Sequence, residues 1–513
     1  MQQIVVTAAI ILREGKILIA QRNPGSDHGL LWEFPGGKLE KNEEPKAGLK
    51  REIKEELDLE ITVGDIFQVE WRQNPDKAIL LLCYLCYYAA GQAKAIDCHD
   101  FRWLKVDQLR DYKYPSADQA VVDRLQQKFG QPGWDWTGEP VPAVPGGRVG
   151  EESGLHDRSR SRRKVEHIQH FLSLPNRPGD SGFSGIHLLH CALPEVDWAD
   201  VDLCWEAFGK RASAPLLINA ITGGAHEVER INRALARCAR QSGVAMAVGS
   251  QTAALADPSL SQSFKVVREE HPEGIVLANV GAHVAPEMAA RAVEMLRADA
   301  LQVHLNAPQE LAMAEGERRF RGWRRNIEEL VKFIQVPLIV KEVGFGLNRE
   351  VVRELKSLGV EHFDVGGHGG TNFIAIEESR RGLHPSGLEN WGIPTACATI
   401  EAYTEGVPGE LIATGGITTP LEGAKALALG ATAFGVVGQF LKTLCNQSEA
   451  NLLETLNRWM TLLRQLYVMC GAKNTAEMRQ VPVVITGFSG EWLKQRGISL
   501  KAYGSRARKS TKH

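Results

Sequence analysis

The 513-residue sequence lacks any apolar run long enough to cross a bilayer and has no charged-then-apolar leader, so a soluble, cytoplasmic chain is expected. It also lacks net charge. Lys and Arg number 60 against 62 Asp and Glu, a formal balance of −2, which excludes the electrostatic footprint of a nucleic-acid-coating protein. One short basic run, SRSRRK at 159–164, does not alter that. The nine cysteines follow no disulfide or metal framework. Cys83 and Cys86 form a CxxC, but the surrounding LLCYLCYY is an aliphatic and aromatic strand with no second pair, so buried packing is expected rather than zinc.

What is present divides into blocks. From Gly130 the text turns to QPGWDWTGEPVPAVPGGRVGEESGLHDRSRSRR, rich in Pro, Gly, Ser and charge and without apolar periodicity. Residues 130–160 are therefore expected to be a flexible linker between a domain at 1–129 and a larger one at 161–500, with a basic tail at 501–513. A chain of this length readily buries two cores.

The first block is dominated by GGKLEKNEEPKAGLKREIKEELDL, Gly36 to Leu59. On a helix Glu52, Glu55 and Glu56 fall at i, i+3 and i+4, so three carboxylates share one face. Like charges at that spacing repel, and a hard cation such as Mg²⁺ is the natural counter-charge. With Gly37, Glu43 and Arg51 in register, the stretch resembles a Nudix box, and Leu31-Trp32-Glu33-Phe34-Pro35-Gly36-Gly37-Lys38 resembles the entry of MutT-like Nudix hydrolases, which cleave nucleoside triphosphates to monophosphate and pyrophosphate. The resemblance implies an α/β/α sandwich. It assigns Gly37, Glu52, Glu55, Glu56 and the outer Asp97 to Mg²⁺, and Arg22, Phe34 and Asp118 to the nucleotide, oxidised forms such as 8-oxo-dGTP among the candidates. By the same resemblance Glu52, Glu55 and Glu56 are expected to carry the catalysis through a metal-bound water. Asp58 stands where the box usually has glycine.

The second block alternates aliphatic runs with amphipathic stretches. Strands are expected at 215–220, 244–249, 274–281, 300–306, 337–344, 362–367, 410–416 and 433–438, with helical texts between them that end in glycine. Eight such repeats indicate a (β/α)₈ barrel with its site at the strand C-terminal ends. Unusual polar and glycine residues sit at those ends: Thr222-Gly223, Ser250, Asn279, His304, Asn306, Gln309-Glu310, Lys341, Thr371, Gly415-Gly416 and Val437-Gly438. Glycines after the seventh and eighth strands let backbone N–H groups approach a phosphate.

Phrases such as RKVEH at Arg163, QVHLNAPQE at Gln302, VPLIVKEVGFG at Val336 and GGHGGTNF at Gly366 make this region resemble type 2 isopentenyl-diphosphate isomerases, FMN-dependent barrel enzymes. The resemblance implies that Thr222, Gly223, Ser250, Asn279, Lys341, Thr371, Gly415, Gly416, Val437 and Gly438 bind FMN, reduced by NADPH. It implies that Arg163, Lys164, His167, His304, Asn306 and Gln309 bind isopentenyl or dimethylallyl diphosphate, that Gln309 is catalytic, and that Glu310 recruits Mg²⁺. A homo-oligomer through the barrel is implied, and no nucleic-acid or membrane partner. The competing readings are an FMN-dependent 2-hydroxy-acid oxidase and a Nudix half acting only as a diphosphate-binding or regulatory module. The oxidase needs an imidazole beside an arginine, whereas His368-Gly369-Gly370-Thr371 has threonine there.

Overall fold

The computed structural model describes residues 2–506 apart from 14–15, 27–28, 41–42, 74–76, 130–179, 221–222, 315, 382 and 384–385. These fall into two compact units divided after Gly150. The linker expected at 130–160 lies outside the described residues, as do Arg163, Lys164, His167 and Thr222.

The first unit is a mixed sheet of β1 (Gln2–Arg13), β2 (Lys16–Gln21), β3 (Trp32–Glu33), β4 (Gly36–Lys38), β5 (Glu60–Gln73), β6 (Lys77–Ala90) and β7 (Asp100–Leu104). Its order is β3-β2-β1-β6-β5, with β4 on β1 and β7 on β2. Alternation along β1 decides the layers. Ala8, Ile10 and Leu12 pack with Val121, Val122 and Leu125 of α2 (Ser116–Phe129). Ala9 and Ile11 pack with Leu49, Ile53 and Leu57 of α1 (Pro45–Leu57). The result is the expected α/β/α sandwich. Cys83 belongs to the first core and Cys86 to the second. Three residues apart on a strand they face opposite sides, so the CxxC cannot chelate.

The second unit contains a closed parallel barrel of β8 (Leu216–Ile218), β9 (Ala245–Ala247), β10 (Val276–Gly281), β11 (Ala300–His304), β12 (Leu338–Lys341), β13 (His362–Asp364), β14 (Leu411–Thr414) and β15 (Ala433–Val436). All eight lie within the expected spans. At the strand N-terminal ends the barrel is closed by a hairpin, Trp205–Ala207 with Lys210–Ala212. Trp205 Nε1 donates to Glu410 at 2.9 Å and Lys210 Nζ to the Gly274 carbonyl at 3.1 Å. Trp205 packs into the same core as Leu217, Leu277, Ile339 and Ile412. The open end is therefore the C-terminal one.

The basic text from 501, expected to be a tail, is ordered in its first residues. Leu500–Gly504 is helical, Tyr503 is buried, and Arg506 donates to the Ala428 and Val481 carbonyls. The apolar ring of Tyr503 outweighs the basic residues around it. No described helix is long and apolar enough to cross a membrane.

Candidate active sites

Helix α1 starts cleanly: the Glu44 carboxylate accepts the Ala47 N–H at 2.8 Å and Pro45 occupies the first turn. Burial of Leu49, Ile53 and Leu57 turns Glu52 and Glu56 toward β4. The Gly36 N–H donates to Glu56 at 3.1 Å, and a Cβ on Gly37 would lie 2.2 Å from the Glu52 carboxyl carbon. A side chain at 37 would therefore displace the Glu52 carboxylate from its present position. Arg51 donates to both oxygens of Glu43 at 2.9 Å and to Glu55 at 3.0 Å, and pairs with Glu52 at 3.2 Å. That clamp, with the Glu40 N–H, holds Glu43 down to about 2.

Glu56 is the electrostatic centre. Burial pushes it up to about 8, helped by Glu33, Glu52 and Asp97 and opposed by the Gly36 N–H. Asp97 arrives because the 94–97 loop seals the end of α1: the Lys94 N–H donates to the Leu57 backbone carbonyl at 3.0 Å and the Asp97 N–H to the Glu56 backbone carbonyl at 3.3 Å. Among the described residues no three His, Cys, Asp or Glu groups converge closely enough to hold an ion as they stand. The donor set still fits Mg²⁺: it is all oxygen, and Glu33, Glu52 and Asp97 add their negative charge to that of the buried Glu56.

Beside this face, Arg22 Nε donates to Glu33 at 2.6 Å, and the Phe34 N–H to Asp118 at 3.1 Å. Burial pushes Asp118 up to about 7, with Glu33 adding to the rise and the Phe34 N–H and Arg22 opposing it. Phe34 stacks on Tyr114, ring centroids 6.3 Å apart. The structure thus brings Arg22, Phe34 and Asp118 together, and adds Glu33, which stood inside the recognised phrase but was not assigned a role.

Asp58, in place of glycine, adopts φ +53° as the left-handed cap of α1, with Lys54 and Lys94 on its carboxylate. Its departure from the box is conformational. Asp58→Gly relieves about 1 kcal/mol of left-handed strain and loses two ion pairs that solvent screens. Thermal unfolding is expected to move little in either direction and pyrophosphate release not at all; a large loss of release would place Asp58 in the site.

At the barrel mouth, β11 ends in His304, and the helix Ala307–Ala312 follows at once. Asn306 Nδ2 donates to Gln309 Oε1 at 2.9 Å, while Gln309 Nε2 donates to Glu377 at 3.4 Å. Glu377 is fully buried, pairs with Arg380 at 2.8 Å, and comes from the helix Phe373–Arg380 after β13; the sequence reading missed it. Glu310 accepts the Glu317 N–H at 2.8 Å. A single carboxylate there fits Mg²⁺, which takes one or two protein carboxylates and completes its shell with water and substrate phosphates.

The cofactor candidates ring the mouth. Lys341, buried at the end of β12, donates to the Glu342 carbonyl at 2.8 Å and lies 4.0 Å from Asp364. Asn279 takes part in hydrogen bonds to Gln302 and His304, and Ser250 contacts Thr252 at 3.0 Å. Gly223 packs on Phe264. Gly416, at φ +68°, could not carry a Cβ, which would lie 2.4 Å from the Gly369 carbonyl; Gly415 meets the Gly367 carbonyl in the same way. So these two glycines are also required for close packing with the β13 loop, which holds Thr371. Val437 caps the helix Gly438–Asn446, whose first N–H groups suit a phosphate. FMN fits this set. His368, the oxidase-like imidazole, is engaged with the Glu389 carbonyl at 3.2 Å.

Residues 1–125 match the NUDIX domain family, and residues 277–484 match the FMN-dependent dehydrogenase family. An isopentenyl-diphosphate delta-isomerase of Moorella thermoacetica is 49% identical over 337 residues, covering 66% of this chain and 97% of that protein. One of Symbiobacterium thermophilum is 47% identical over 359 residues, 68% of this chain and 99% of that protein. Among solved structures, the E. coli ORF135 protein is 34% identical, covering 26% of this chain and 96% of its own, with a TM-score of 0.23. A mandelate oxidase with an FMN adduct is 16% identical, covering 64% and 100%, with a TM-score of 0.46. The chain therefore joins a Nudix domain to a barrel that belongs to the isopentenyl-diphosphate delta-isomerase family.

Proposed function

We propose that the barrel interconverts isopentenyl and dimethylallyl diphosphate using FMN reduced by NADPH, with Mg²⁺ on the diphosphate, and that the Nudix half releases pyrophosphate from nucleoside triphosphates with Mg²⁺. The observation that carries the first reading is the gathering of His304, Asn306, Gln309 and Glu310 from one strand end beside Lys341 and Asn279. The substrate has no carbonyl to acidify the C–H bond that breaks, so alkene protonation comes first and leaves positive charge at a tertiary carbon. FMN, when bound and reduced, supplies an electron-rich ring that stabilises such charge. Glu310 would hold Mg²⁺, while His304 and Asn306, with Arg163, Lys164 and His167 by family resemblance, would grip the diphosphate. Remote binding energy then places the small prenyl end against Gln309.

Dimethylallyl diphosphate should form only after anaerobic addition of NADPH or dithionite. Full turnover with oxidised FMN overturns the mechanism, and oxygen uptake with lactate would favour the oxidase reading. For the Nudix half, dGTP and 8-oxo-dGTP head a panel of triphosphates in a pyrophosphate-release assay.

The two halves are read as independent, because a nucleotide and a five-carbon diphosphate share no product. Chains 1–127 and 154–513, expressed separately, are expected to keep most of the parent kcat and KM. Loss in one, restored by adding the other, would show that the halves communicate.

A further inference from the structure

Strands of a parallel barrel are buried on both faces and normally read as aliphatic runs. Here three such positions, Asp364, Gln302 and Asn279, and Asn219 one residue past the end of β8, carry polar side chains joined in one line. Asp364 on β13 accepts from Asn219 Nδ2 at 2.7 Å, from Thr414 Oγ1, and from the Gly366 N–H at 3.2 Å. Asn219 must therefore turn its oxygen away. That Oδ1 accepts from the Ala220 N–H at 2.8 Å and from Gln302 Nε2 at 3.0 Å. Gln302 is left with Oε1, which accepts from Asn279 Nδ2 at 2.9 Å. Asn279 is left with Oδ1, and this lies 2.8 Å from His304 Nδ1.

An amide has one donating and one accepting end, so polarity at the start of such a chain dictates polarity at its finish. The orientations of amides and imidazoles follow from the network they join. This network is anchored by a carboxylate and a backbone N–H, and the N–H cannot become an acceptor. Asp364, Asn219, Gln302 and Asn279 are all 3% exposed or less, so bulk water cannot substitute for a partner.

We propose that Asn219, Gln302 and Asn279 form a one-way hydrogen-bond relay from Asp364 that holds His304 as the Nδ1–H tautomer and makes Nε2 its accepting nitrogen. An amide oxygen cannot donate, so a hydrogen on Nδ1 is the only arrangement that satisfies the last link. Asp364, Asn219 and Gln302 are positioning residues that act through His304, and Asn279, also a cofactor candidate, passes their polarity to it. The consequence for binding rests on the isomerase reading: a diphosphate offers acceptors, so His304 can hydrogen-bond to it only after Nε2 has gained a proton, and it grips the anion as an imidazolium.

The test is the ring nitrogen shifts of His304 in the full chain loaded with oxidised FMN and labelled with ¹³C,¹⁵N-histidine. The resonance is identified by its loss in His304→Gln. Spectra are taken about two pH units above the ordinary histidine pKa of about 6.5, where a neutral ring is expected. The parent chain should show Nδ1–H. Gln302→Leu, which cuts the relay, should give a mixture of tautomers and raise KM for isopentenyl diphosphate several-fold more than it lowers kcat. Gln302→Glu still offers Asn279 an acceptor, so it should restore the Nδ1–H form. An Nε2–H ring, a mixture, or a ring still doubly protonated in the parent overturns the proposal, as does a parent-like tautomer in Gln302→Leu. If Gln302→Leu does not fold, the parent spectrum alone decides. A tautomer that shifts in Gln302→Leu with no change in KM upholds the relay and instead faults the assignment of His304 to the diphosphate.

Discussion

Replacing Glu56 by Gln is expected to lower Mg²⁺-dependent pyrophosphate release by roughly a hundredfold or more, since even partners behind metal ligands cost 10–100-fold when removed. Isomerisation should not change. The substitution should also stabilise the metal-free Nudix unit. Glu56 is raised from 4.5 to about 8 in the folded state. A carboxyl raised in this way costs nothing below pH 4.5; stability is then lost as pH rises toward 8, where the loss levels off. At neutral pH the penalty is on the order of 3 kcal/mol. Gln carries no such penalty, and added Mg²⁺ should narrow the difference by stabilising the parent. Glu55→Gln should lose release without the stability gain, because Glu55 is exposed and already paired with Arg51 at 3.0 Å. Parent-level release by Glu56→Gln, followed by phosphate detection after pyrophosphatase, would remove Glu56 from the metal site.

Gln309→Ala is expected to keep FMN and lose isomerisation by roughly a hundredfold, the scale of one misplaced positioning group. Gln309 is buried and held between Asn306 and Glu377. It comes from the segment after β11, whereas the glycines assigned to the cofactor phosphate follow β14 and β15. FMN affinity, measured by quenching of its fluorescence, should match the parent while dimethylallyl diphosphate formation under reducing conditions falls. Loss of FMN together with activity would move Gln309 to the cofactor side, and parent-level turnover would remove it from the reaction.

Much of this chain is legible in one dimension because the signals are local. Three glutamates within five positions of a helix declare a charged face, and eight aliphatic runs alternating with helices declare a barrel. The CxxC reads as packing from its aliphatic and aromatic surroundings, and strand alternation indeed sends Cys83 and Cys86 to opposite cores. Glu33 was present in the recognised phrase but silent, since nothing local shows that it pairs with Arg22 eleven residues away. The basic text after 500 hid Tyr503, whose burial depends on a surface built from distant segments.

The sequence by itself determined the barrel, the carboxylate face of α1 and the strand ends proposed to carry the barrel's chemistry, because each is a matter of periodicity and short spacing; the α/β/α sandwich came through the family resemblance of the first block. Only the tertiary structure decided which polar groups meet inside the barrel. Asn219 and Gln302 are 83 residues apart, Asn219 and Asp364 are 145 apart, and Gln309 and Glu377 are 68 apart. Asn219, Gln302, Asp364 and Glu377 each read alone as a stray polar residue in an apolar run or helix. Closure of the sheet is what brings them within hydrogen-bond range and, by denying them water, makes their orientation obligatory.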